Sequence, residues 1–101
     1  MIRGTTPTLT FNLPFAASTI KSLYITFADR DNNIVLEKTK ADCTLNAKAV
    51  TVKLTQAETL DFQSRQAVNI QLRVLNTSGD AMASKIYTVQ VDRILKEGVI
   101  E

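Results

Sequence analysis

VNIQLRVL, residues 68–75, decides the fold. Val68, Ile70, Leu72 and Val74 alternate with Asn69, Gln71 and Arg73, so one face of the segment is apolar and the other polar. A side-chain period of two belongs to a β-strand with one face on a core and one in water. Such a strand needs a second apolar layer to cover it, and the flanking sequence supplies one.

Downstream, NTSGD (76–80) is a turn in which Gly79 provides a positive φ. SKIYTVQV (84–91) returns as the partner strand, with Tyr87, Val89 and Val91 expected to point inward and Ile86 marking a bulge where the alternation breaks. Upstream, VTVKL (50–54) places Val50, Val52 and Leu54 on one face, and DCTLN (42–46) is a short strand before it, with a turn at Ala47–Ala49. IKSLYITFA (20–28) sets Leu23, Ile25 and Phe27 opposite Tyr24 and Thr26, and the turn formers DRDNN (29–33) close a hairpin into NIVLEKT. TLTFNL (8–13) alternates Leu9, Phe11 and Leu13 with polar residues. Pro7 and Pro14 bracket it and suit an edge strand.

These are about seven short strands with no amphipathic helix long enough to cover a sheet. The fold class is therefore all-β, an antiparallel two-sheet sandwich of immunoglobulin-like type. The Cys…Trp…Cys framework of antibody domains is absent. Phe11, Leu23, Ile25, Phe27, Val52, Leu54, Ile70, Leu72, Val74 and Val89 are expected to be buried together between the sheets.

LTQAETLDF (54–62) interrupts the strands. Thr55 and Glu58 have capping-box spacing, which predicts one helical turn over residues 55–61 with Thr55 as N-cap. Leu54, Leu60 and Phe62 then plug the end between the two sheets, Glu58 serves the backbone, and Asp61 faces solvent. As a catalytic pair, Glu58 and Asp61 sit side by side on a convex turn without a cleft between them.

Composition narrows the chemistry further. The 101 residues suit one domain, 45% hydrophobic and 22% charged, the balance of a globular chain. The net charge of +2 comes from scattered Lys and Arg with no aromatic interleaving, so no nucleic-acid surface is expected. No apolar run approaches the roughly 20 residues of a membrane span. MIRGTTPTLTF lacks an apolar h-region, so a cytoplasmic product without a signal peptide is expected. The single Cys43 excludes an internal disulfide and reads as a structural thiol.

The chain has no histidine, which removes Ser-His-Asp and Cys-His nucleophiles and His-based metal sites. DRDNN lacks the Gly and the closing Glu of a calcium loop and reads as an Asx-rich turn. Three glycines make no phosphate loop. No catalytic residue, cofactor or metal site is expected, and the chain is not read as an enzyme.

The sandwich is assigned to residues 1–93 and a C-terminal tail to 94–101. That tail carries Ile94, Leu95, Val99 and Ile100 past the last strand, and these four are the candidate protein-docking residues.

Three stretches together, RGTTPTLTFNLPF (3–15), LTQAETLDF (54–62) and IQLRVLNTSGDAMASKIYTVQVDRILKEGVI (70–100), resemble a family of small virion structural proteins of phages and prophages of Gram-positive bacteria. The likeness covers most of the chain. At the level of fold alone, the organisation is similar to N-terminal domains of baseplate and tail-fibre proteins. The resemblance implies a structural or adaptor role in a virion, in the tail or baseplate. It also implies contacts with other virion proteins or with itself, without nucleic acid or membrane. Two other readings stand beside it. A carbohydrate- or ligand-binding module predicts Tyr24 and Tyr87 in one open groove; a stand-alone cytosolic regulator predicts no association with tail or capsid proteins.

Overall fold

In the computed structural model, which describes residues 1–101, the period-two segments form strands. They are β1 (Thr8–Asn12), β2 (Ile20–Ala28), β3 (Ile34–Thr39), β4 (Cys43–Asn46), β5 (Ala49–Lys53), β6 (Ala67–Asn76), β7 (Ala81–Ala83) and β8 (Tyr87–Gln90). One helical turn, α1 (Gln56–Leu60), joins β5 to β6.

All strand pairs are antiparallel and fall into two sheets. The smaller has the order β1-β5-β4. The larger has the order β3-β2-β6, with β7 and β8 following one another along the free side of β6. The chain changes sheet between β1 and β2, at a 3-10 turn over Lys40–Asp42, and at α1. In the immunoglobulin lettering, β1, β5 and β4 take the places of B, E and D. β3, β2, β6 and the β7–β8 strand take those of C′, C, F and G. Ile2 forms a parallel bridge to Asp92, so the first residues lie against the end of that last strand.

Register explains the core. Leu23 lies opposite Val74, Ile25 opposite Leu72 and Phe27 opposite Ile70, so the apolar faces of β2 and β6 form one surface. Val50, Val52 and Leu54 cover it from the smaller sheet, while Ala17, Ile20, Phe62, Val68 and Val91 close its margins. Eight of the ten expected core residues are buried; Phe11 and Val89 are half-buried and pack against the cluster.

Tyr87 keeps the expected inward phase, opposite buried Ile70, yet is 42% exposed because it lies on the edge strand of the larger sheet. A bulge precedes it. Between Arg73↔Ala83 and Ile70↔Tyr87, β6 has two residues and the returning strand three, so Ile86 is extruded and the pairing shifts by one. Tyr87 stands at the rim, edge-on to Phe11 with centroids 6.2 Å apart. Ser84 repairs the ladder at this point. Its N–H donates to Leu72 O (2.8 Å), its Oγ accepts from Leu72 N–H (3.0 Å), and its hydroxyl donates to Lys85 O (2.8 Å).

The turns over residues 29–33 and 76–80 use one device. Asp29 Oδ1 accepts from the N–H groups of Asp31 and Asn33, both at 2.9 Å. Asn76 Oδ1 accepts likewise from Ser78 (3.0 Å) and Asp80 (2.8 Å). The fourth residue of each loop is left-handed, Asn32 at φ 65° and Gly79 at φ 87°. Asn can replace Gly there because its short polar side chain tolerates that region.

Candidate docking surface

The α1 corner comes first because the tail lies on it. Thr55 Oγ1 accepts from Glu58 N–H (3.2 Å) and Glu58 Oε1 accepts from Thr55 N–H (2.8 Å), the reciprocal pair that the Thr–x–x–Glu spacing predicts. Glu58 is also ion-paired to Lys38 of β3, tying the corner to the larger sheet. Burial pushes the Glu58 carboxyl up, but the Lys38 ammonium and the Thr55 N–H outweigh it and leave its pKa below the ordinary value. Thr59, fully buried, donates its hydroxyl to Thr5 O (2.9 Å). Leu54 and Phe62 are buried and Asp61 is exposed. Both of Glu58's roles are structural.

Arg3 completes the corner. Its guanidinium donates to Leu60 O (2.8 Å) and Phe62 O (2.7 Å), capping carbonyls that the end of α1 leaves open. Its remaining nitrogen holds Glu97 of the tail at 2.8 and 3.1 Å. A second clamp lies at Ile100, whose N–H donates to Gln56 Oε1 (2.9 Å) and whose C=O accepts from Gln56 Nε2 (3.2 Å). The side-chain amide thus pairs with the tail as a neighbouring strand would.

These clamps sort the four candidate residues. Ile94 turns back onto its own domain, half-buried beside Leu60 and Gly4. A Cβ on Gly4 would meet Ile94 Cδ1 at 3.0 Å, and Gly4 has φ +72°, so the position favours glycine on both counts. Leu95 is 93% exposed, Ile100 62% and Val99 55%. The tail is therefore pinned by polar contacts while three large aliphatic side chains face outward. Arg3, Gly4 and Gln56 were not singled out by sequence reasoning. Their partners lie 44 to 94 residues away, and no local pattern encodes them.

The other sequence candidates resolve plainly. The Asp29 carboxylate is engaged by its own loop amides. Cys43 donates its thiol to Thr39 O (3.3 Å). Burial, with Asp42 adjacent, pushes its pKa up, the opposite of an activated nucleophile. Tyr24 lies on the outer face of the larger sheet opposite Arg73, whereas Tyr87 stands at the rim beside Phe11, so they share no groove. No helix is long and apolar enough to cross a membrane. No protein-family model, curated protein or solved structure matches the chain.

Proposed function

We propose that this chain is a non-enzymatic structural or adaptor protein of a phage or prophage virion, a tail or baseplate component acting through protein–protein contacts. The observation that carries the docking role is the pinned tail. Leu95, Val99 and Ile100 are held outward by the Arg3–Glu97 and Gln56–Ile100 contacts. Apolar side chains on an ordered segment bind at a lower entropy cost than the same residues on a loose one. The virion setting rests on the sequence resemblance. The carbohydrate reading is without its aromatic platform, because Tyr24 and Tyr87 lie apart.

The test is binding of the purified protein to the purified products of its neighbouring genes, with wild type and a Leu95→Glu/Val99→Glu/Ile100→Glu variant compared. All three positions are exposed, so the variant keeps its melting temperature. The proposal expects wild type to bind one such product and the variant to lose that binding. Equal binding by both, or none by wild type, refutes it.

A further inference from the structure

The strand position beside β1 is vacant. In the immunoglobulin order, strand A lies against strand B, and here B is β1, an edge strand paired only with β5. At the ends of the β1–β5 register, Leu13 N–H donates to Lys48 O (2.8 Å) and Leu54 N–H to Pro7 O (2.9 Å). Bonding alternates along an antiparallel ladder, so Pro7, Leu9, Phe11 and Leu13 face β5. Thr8, Thr10 and Asn12 therefore turn their N–H and C=O groups to the free side.

Between its bracketing prolines this edge lacks the charges that normally block strand addition. β3, the outer edge of the larger sheet, displays Glu37 and points the charge of Lys38 inward to Glu58, and the Lys40–Asp42 turn spans the β3–β4 side. TLTFN has no charge and no internal proline. Behind it runs an apolar groove of about 380 Å³ lined by Phe11, Leu13, Phe15, Met82 and Tyr87.

We propose that a second copy of this chain fills the vacancy with its own β1, antiparallel, about a two-fold axis through Thr10. Pro14 and the start of β1 at Thr8 set this register. Pro14 falls on the outward phase and has no N–H, so the ladder ends at Asn12. The three outward residues that remain, Thr8, Thr10 and Asn12, are symmetric about Thr10. Thr10 pairs with the partner's Thr10, and Thr8 with the partner's Asn12, each N–H and C=O finding its complement. On the inner face Leu9 comes opposite the partner's Phe11, in the closer, non-hydrogen-bonded kind of pair that favours apolar side chains. No charge meets its own copy across the axis, as an isologous contact requires. The two small sheets merge into one of six strands, and the contact is small enough to be reversible. The surface is separate from the tail, so the proposal does not depend on Leu95, Val99 and Ile100.

Sedimentation velocity from micromolar to millimolar protein tests it. Wild type goes from monomer to dimer, and deleting residues 94–101 leaves that transition in place. Thr10→Lys and Thr10→Glu each remain monomeric, because like charges meet at the axis, while an equimolar mixture dimerises and does so less in high salt. Thr10 is exposed and its N–H does not serve β5, so both variants keep the fold. Amide exchange on wild type supplies an independent readout. Thr8, Thr10 and Asn12 become protected as concentration rises, whereas Leu9 and Phe11 are protected throughout. Wild type monomeric at millimolar concentration, a Thr10→Lys variant that dimerises unchanged, or a mixture that stays monomeric overturns the proposal.

Discussion

Replacing Ser84 by Ala removes one oxygen from the strand bulge and strands a donor in the middle of β6. Leu72 is 4% exposed, and its N–H has the Ser84 hydroxyl as its partner at 3.0 Å. No backbone carbonyl moves in, because Ser84's own N–H already holds Leu72 O at 2.8 Å and fixes the two strands. A buried donor left without a partner costs about 1–3 kcal/mol. For a domain of this size, total stability is roughly 5–15 kcal/mol, so the loss is a substantial fraction. The same loss lowers the melting temperature by about 5–20 °C. Urea denaturation measures it as a fall in midpoint with the slope unchanged, since the area exposed on unfolding is the same. Amide exchange localises it, with Leu72 N–H losing protection before its neighbours in β6. Lys85→Ala is the control, since it removes only the exposed ammonium 5.1 Å from the Tyr87 ring. A Ser84→Ala variant within about 0.5 kcal/mol of wild type, the range of neutral surface changes, refutes this account of the bulge.

Leu72→Ala, in the centre of the core, lowers stability by about 2–5 kcal/mol by denaturant melt; an unchanged melting temperature rejects the sandwich core as described. Thr55→Ala removes the N-cap of α1 and costs about 0.5–2 kcal/mol, measurable in the same way. Ala47, first residue of the two-residue β4–β5 turn, has φ 49°. Ala47→Gly relieves strain of about 1–2 kcal/mol against an entropic cost of about 0.5–1, so thermal melts show a modest net gain. Glu58 and Asp42 both titrate below their ordinary values, Asp42 chiefly because it accepts from Thr39 N–H. A carboxyl lowered on folding stabilises fully above its unfolded pKa of about 4, and that stabilisation is lost as pH falls through the folded value. Stability measured from pH 7 down to pH 3 therefore declines, and Lys38→Met flattens the part that belongs to Glu58. An unchanged slope in that variant refutes the pairing.

What could be read in the sequence was what is written locally. The period of two in β6 and β2 gives both strands their buried faces, and Thr55 with Glu58 gives the cap of α1, because each depends on residues within one or two turns of each other. Pro7 and Pro14 marked β1 as an edge. Tyr87, Val89 and Val91 take the inward phase expected of them, because the alternation resumes after Ile86; Tyr87 is exposed through its place on an edge strand, which no local pattern writes. The extrusion of Ile86 showed as broken alternation, without revealing that the strand after it borders only β6. In the tail, Ile94 and Leu95 are equivalent as letters. They part only because Gly4, ninety residues earlier in the chain, leaves a space beside Leu60 that one of them occupies.

Arg3 also sets an order of events. The β2–β3, β4–β5 and β6–β7 hairpins close over loops of five, two and four residues and need nothing from elsewhere. The guanidinium waits for carbonyls at residues 60 and 62 and for a carboxylate at residue 97. During synthesis this cation has no carboxylate partner until residue 97 has been made. Refolding from denaturant likewise assembles the hairpins before this lacing, which spans the longest loop in the molecule. In the native protein the order runs backwards. The contacts of residues 1–5 and 93–101 are expected to open together, with amide protection lost there first while β2 and β6 stay paired.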